Sequence, residues 1–64
     1  MKIYEVLKKE NEDAKYRVIG EEDVWTVESP VNGKLDLYND EGKSIMEKYF
    51  LSTILFELEF EEVL

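Results

Sequence analysis

The chain has 64 residues with 16 acidic and 8 basic side chains, a net charge of −8, and 44% hydrophobic residues that include one Trp, four Tyr and three Phe. It contains neither Cys nor His, which excludes disulfides, thiolate or imidazole metal sites, and Cys or Ser–His nucleophile systems. The length fits a single domain, residues 1–64, that buries about 60% of its unfolded surface, and the acidity argues against direct binding of nucleic-acid phosphates.

The opening Ile3, Tyr4, Val6 and Leu7 sit at helical spacing, which predicts a short helix over 3–9; alternation through Ile3, Glu5 and Leu7 is a weaker strand pattern. Glu5 interrupts this apolar stretch, so it lacks the continuous core of a signal peptide. Glu10-Asn11-Glu12-Asp13 reads as a loop. Tyr16–Ile19 is β-prone and predicts a strand over 15–19 that stops at Gly20. A turn at Gly20-Glu21-Glu22 leads to Val24-Trp25-Thr26-Val27, a strand over 23–28. Ser29-Pro30-Val31-Asn32-Gly33 is a breaker with Asn-Gly suited to positive φ. Leu35-Asp36-Leu37-Tyr38 alternates as a strand over 34–38, and Asn39-Asp40-Glu41-Gly42 turns again. These three strands predict an antiparallel meander.

Ser44-Ile45-Met46-Glu47 has capping-box spacing, and Ile45, Met46, Tyr49, Phe50, Thr53 and Ile54 form a helical stripe behind it. A helix over about 45–55 is predicted; the competing reading starts a shorter helix at Ser52 and makes Lys48–Leu51 extended. Phe56-Glu57-Leu58-Glu59-Phe60-Glu61 alternates strictly, predicting a strand over 56–62 with Phe56, Leu58 and Phe60 on the core side. The expected fold is α+β: a small antiparallel sheet of about four strands with the two helices packed on one face. No run of about 18 apolar residues is present to span a membrane, and a cytoplasmic location is the expectation.

Chemistry is sparse. Paired acids such as Glu21/Glu22 fall in turns, without the desolvation that acid–base work needs. A Ca²⁺ loop counted from Asp36 lacks its sixth-position Gly. The three Gly never cluster into a phosphate cradle, and Arg17 is the lone arginine. No enzyme, cofactor or metal site is expected.

Charge is unevenly placed. Residues 18–33 hold Glu21, Glu22, Asp23 and Glu28 with no base, and residues 49–64 hold Glu57, Glu59, Glu61 and Glu62 with none. On one strand face, Glu57, Glu59 and Glu61 would stand ~6.8 Å apart, a ladder able to imitate a phosphate backbone in a basic groove. The alternative is the wet face of an amphipathic strand. Candidate binding residues are therefore Glu57, Glu59, Glu61, Glu62, Glu21, Glu22 and Asp23. Trp25 joins them as an interface anchor if exposed, although a core position is favoured. A domain this small without staples is also expected to self-associate as a homodimer slightly more readily than to stay monomeric.

The opening Ile3-Tyr4-Glu5-Val6-Leu7-Lys8, the central Val24-Trp25-Thr26-Val27 and the closing Ile54-Leu55 with Glu59-Phe60-Glu61 carry a family likeness. Through them the chain resembles the short acidic proteins of accessory regions of phages and prophages of Gram-positive bacteria. That resemblance implies a non-enzymatic binding protein in the host-cell cytoplasm that inhibits a host defence protein. Its expected partner has a basic surface, such as a CRISPR nuclease with positive nucleic-acid channels. Two other readings stay open: an interaction module whose acids serve solubility, and a sponge that sequesters a nucleotide signal.

Overall fold

A computed structural model describes residues 1–31, 33–49 and 52–64. Helix α1 (Ile3–Val6) and a 3-10 turn (Lys9–Asn11) precede strands β1 (Lys15–Val18), β2 (Trp25–Val31) and β3 (Lys34–Tyr38). Helices α2 (Ile45–Lys48) and α3 (Ser52–Glu57) then lead to β4 (Phe60–Glu62). The sheet order is β3-β2-β1-β4, and all three pairings are antiparallel. The first three strands form the expected meander. The helices carry the chain across one face of the sheet and deliver β4 to the far edge, beside β1.

The sheet has a dry face and a wet one, as alternation demands. Tyr16 and Val18 from β1, Trp25 and Val27 from β2, Leu37 from β3 and Phe60 from β4 are buried together with Ile3, Val6, Ile45 and Leu55 from the helices. Every strand and helix thus supplies at least one core residue. The register places Lys15, Thr26 and Tyr38 in one cross-strand row on the wet face, where Arg17 also stands opposite Glu61. Glu28 stands directly opposite Asp36 there, a like-charge pairing that disfavours the ladder. Asp36 is held locally, accepting from the Leu37 amide at 2.7 Å and from the Ser44 hydroxyl at 2.8 Å.

Strand β2 runs further than the sequence suggests. The pairs Glu28↔Asp36 and Val31↔Lys34 leave one extra residue on β2. Such a bulge is a place where a chain containing Pro30 can remain in a sheet, because the ladder there needs no N–H. The breaker therefore starts at the turn and not at Ser29. Gly33 takes φ +71°, as a tight reversal requires; Asn32 lies outside the described residues.

Two predicted helices are shorter than expected. The first stops at Val6 and not at residue 9, because Asn11 folds back onto its end. The Asn11 amide donates to the carbonyls of Glu5 (3.1 Å) and Val6 (2.9 Å), satisfying acceptors that a helix terminus leaves orphaned. At the other end the Glu5 carboxylate accepts from the Lys2 amide at 2.8 Å.

The predicted helix over 45–55 is two helices. Ser44 caps the first through a capping box: its hydroxyl accepts from the Met46 amide (3.1 Å), and Glu47 accepts from the Ser44 amide (2.9 Å). Tyr49 then leaves helical geometry at φ −124°, ψ 68°. At about 100° per residue, one continuous helix would hold Leu55 about 80° around from Ile45, at the edge of any stripe centred there. With the break, Ile45 and Leu55 both face the core, while Met46 and Ile54 are exposed. The start of α3 at Ser52 agrees with the shorter-helix reading, but Lys48, which that reading makes extended, is the last residue of α2. Phe50 and Leu51, and the side chain of Thr53 in the stripe, lie outside the described residues.

The strand predicted over 56–62 is confined to Phe60–Glu62. Phe56 and Glu57 end α3, and the Leu58 amide closes its last turn on the Leu55 carbonyl. Phe60 is buried and Leu58 is packed against the core, whereas Phe56 is 57% exposed and not on the core side.

Candidate functional site

No polar or charged residue is buried among the described residues, so the acidic candidates all stand at the surface. They divide into two groups. Glu57, Glu59, Glu61 and Glu62 lie at the C-terminal end, and Glu21, Glu22 and Asp23 lie in the β1–β2 loop.

The C-terminal four do not form the expected ladder. Glu57 ends a helix, Glu59 sits in the link to β4, and only Glu61 and Glu62 belong to the strand, where they point to opposite faces. Two of the four are also neutralised locally. The Glu59 carboxylate pairs with the Lys2 ammonium at 2.9 Å and with the Met1 amine at 3.2 Å. Glu61 pairs with Arg17 across the β1–β4 register at 2.6 Å. Lys2 also donates to the Glu57 carbonyl at 3.1 Å. Glu62 enters no ion pair among the described residues. The even spacing of the alternating residues was thus a property of a strand that forms only at its last three positions.

The Lys2 ammonium, hydrogen-bonded to Glu59, holds that carboxyl below the usual carboxylate range, and the terminal amine adds to it. A depressed carboxyl contributes stability above its unfolded value of about 4.3 and loses it as pH falls through the lower folded value. Glu59→Gln is therefore expected to be less stable than the parent at pH 7. The gap, read from urea midpoints, should close progressively below about pH 4. It is small because the pair is exposed, and a gap that stays constant down to pH 2.5 would show the ion pair to be inert.

The β1–β2 loop acids are brought together. Gly20 takes φ +93° and the Glu21 amide returns to the Val18 carbonyl at 2.9 Å, which turns the chain sharply and projects Glu21–Asp23. Lys48 at the end of α2 reaches Asp23 at 2.7 Å and Glu21 at 3.8 Å, and the Tyr49 hydroxyl donates to Glu21 at 3.2 Å. The hydrogen bond from Lys48 to Asp23 raises the lysine's own pKa, so the ammonium keeps its charge at neutral pH. Glu22 enters no ion pair among the described residues. It lines a depression of about 240 Å³ with Asp23, Asp40, Lys15, Val24 and Thr26.

Trp25 is 1% exposed and belongs to the core. Its ring edges a second depression of about 300 Å³ whose polar wall includes Asp23, Lys43, Glu47 and Lys48. Neither hollow carries one sign of charge, and neither has the grouped ligands of a metal site; no cluster of three or more metal-ligating residues occurs among the described residues. No helix among the described residues is long and apolar enough to cross a membrane.

A third depression went unpredicted. Ile3, Tyr4 and Leu7 of the N-terminal segment, Met46 of α2, and Leu55 and Phe56 of α3 line a groove of about 410 Å³ without a charged residue. Its signal in the sequence is the triplet Ile54-Leu55-Phe56. Successive residues on a helix diverge by about 100°, so three consecutive large apolar side chains cannot all face one core.

Set beside protein-family models, curated proteins and solved structures, the chain matches none of them. The class its structure defines is a small α+β fold with a four-stranded antiparallel sheet.

Proposed function

We propose that this chain is a non-enzymatic, phage-encoded binding protein that inhibits a host defence protein by laying an acidic surface against a basic one. The biological setting follows from the resemblance to phage accessory proteins. The observation that carries the contact role is the division of the molecule into an apolar interior and a charged exterior. With no charged residue buried among those described, the excess of −8 is displayed over 4512 Å² of surface. A field of that sign draws the protein toward positively charged channels and clefts and speeds encounter with them.

The contact is carried by carboxylates that local cations leave unengaged, Glu22 and Glu62 first among them, supported by Asp40. It does not depend on a regular row. Glu59 and Glu61 serve the fold through their ion pairs, and reversing them would confound binding with stability. The two mixed-charge hollows favour a nucleotide sponge poorly, since Asp23 and Glu47 repel phosphate from the lysines beside them.

The test is inhibition of DNA cleavage by a panel of purified CRISPR effector nucleases, with binding measured between 50 and 300 mM NaCl. At least one nuclease is expected to be inhibited, with affinity falling at least tenfold over that range. The double variant Glu22→Lys/Glu62→Lys is expected to lose binding while keeping the parent circular-dichroism spectrum. Absence of inhibition across the panel, or a complex indifferent to salt and to both reversals, would leave the acids as solubilising groups and defeat the reading.

A further inference from the structure

We propose that the apolar groove between the three helices is a homodimer interface, occupied by the same groove of a second copy. This interface involves only the apolar face and is independent of what the acidic surface binds. The groove is unusual for its setting. Tyr4, Met46 and Phe56 are 63%, 45% and 57% exposed, on a molecule whose other exposed positions are mostly charged. They surround a floor that includes Ile3 and Leu55, 3% and 6% exposed.

A two-fold interface needs a surface complementary to itself, with projections and hollows on one patch. This face has both. Tyr4 and Phe56 stand out from it, and the floor at Ile3 and Leu55 is recessed between them.

The area suffices, narrowly. Taking ~200 Å² for a fully exposed large side chain, Tyr4, Met46 and Phe56 together present roughly 330 Å². Two copies would cover roughly 650 Å² of apolar surface, which at the ~65% apolar share of homodimer interfaces corresponds to about 1,000 Å² in all. That is the size at which a specific interface becomes credible, and it describes a weak, concentration-dependent dimer.

The rim is compatible with a second copy. Glu5, Glu47 and Glu57 each follow a groove residue in sequence, and Lys2 and Lys8 flank Ile3 and Leu7. Lys2 is engaged by Glu59. This mixture lacks the one-signed rim that would single out a basic peptide. What opposes pairing is the net −8 on each protomer, a repulsion that salt screens. The dimer therefore tightens as salt is added, opposite in sign to a complex with a basic partner.

Sedimentation equilibrium of the purified chain from 5 to 500 µM, in 0.15 and 0.5 M NaCl, tests this. The expected result is a monomer–dimer equilibrium whose dissociation constant falls at least threefold at the higher salt. Phe56→Lys and, separately, Met46→Lys are expected to weaken it at least tenfold while keeping the parent urea midpoint at 5 µM. A monomer at 500 µM in both salts overturns the proposal. So does a dimer that loosens with salt, or one that neither substitution disturbs, which would place the contact on the sheet edge instead.

Discussion

Trp25→Ala is expected to leave the chain unfolded at 25 °C. Trp25 is the largest of the fully buried side chains, lies at 1% exposure, and faces Tyr16 across the β1–β2 pair. Truncating a buried Trp costs about 3–5 kcal/mol through lost transfer energy and the cavity left behind. A domain of this length has about 3–10 kcal/mol to lose, and one without disulfide or metal sits toward the bottom of that range. The substitution therefore removes most or all of the folding free energy. Far-UV circular dichroism should show no cooperative urea transition for the alanine variant. Trp25→Phe, which keeps most of the volume, should retain a transition at a lower midpoint. An alanine variant that unfolds cooperatively within about 1.5 kcal/mol of the parent would return Trp25 to the role of a surface anchor.

The second large effect separates two residues that the alternating C-terminal sequence treats alike. Phe60→Ala is expected to cost about 3–5 kcal/mol, since its ring is 1% exposed and faces Val18 of β1. Phe56→Ala is expected to fall within about 0.5 kcal/mol of the parent, because its ring stands in solvent at the end of α3. Urea titrations followed by Trp25 fluorescence at 5 µM, dilute enough to keep the chain monomeric, read both. A continuous strand over 56–62 would make the two costs similar. That result would restore the carboxylate row on its opposite face.

The sequence and the structure part company at particular places, for particular reasons. Strands β1, β2 and β3 were legible because β-branched and aromatic runs are local signals bounded by Gly20, Gly33 and Gly42, each of which takes a positive φ. The capping box at Ser44 was legible for the same reason: its two bonds span only two and three residues. The end of α1 was not, because the bonds that set it come from Asn11, five and six residues further along. Nor was the break after Lys48, which depends on whether Leu55 or Ile54 faces a core built by strands far away in sequence. The carboxylate row failed through an ambiguity of period. Phe56 and Phe60 are four residues apart, a spacing that alternation and a helical turn both allow. The pairing of Arg17 with Glu61 needed the register of β4, which only the assembled sheet supplies. The loop acids were placed correctly at the surface because Gly20 marked their turn.

The route by which β4 arrives has a kinetic consequence. Forty-four positions separate Arg17 from its partner Glu61, so the last pairing must close most of the chain into a loop before any contact rewards it. The helices inside that loop run to four and six residues, far too short to persist alone. They can form only as the loop docks, so β4, α2 and α3 are expected to arrive late on a meander of β1, β2 and β3. During that interval the outer edge of β1 is bare and able to accept a strand from a neighbouring molecule. Refolding yield should consequently drop as chain concentration rises, and early amide protection should belong to the meander alone.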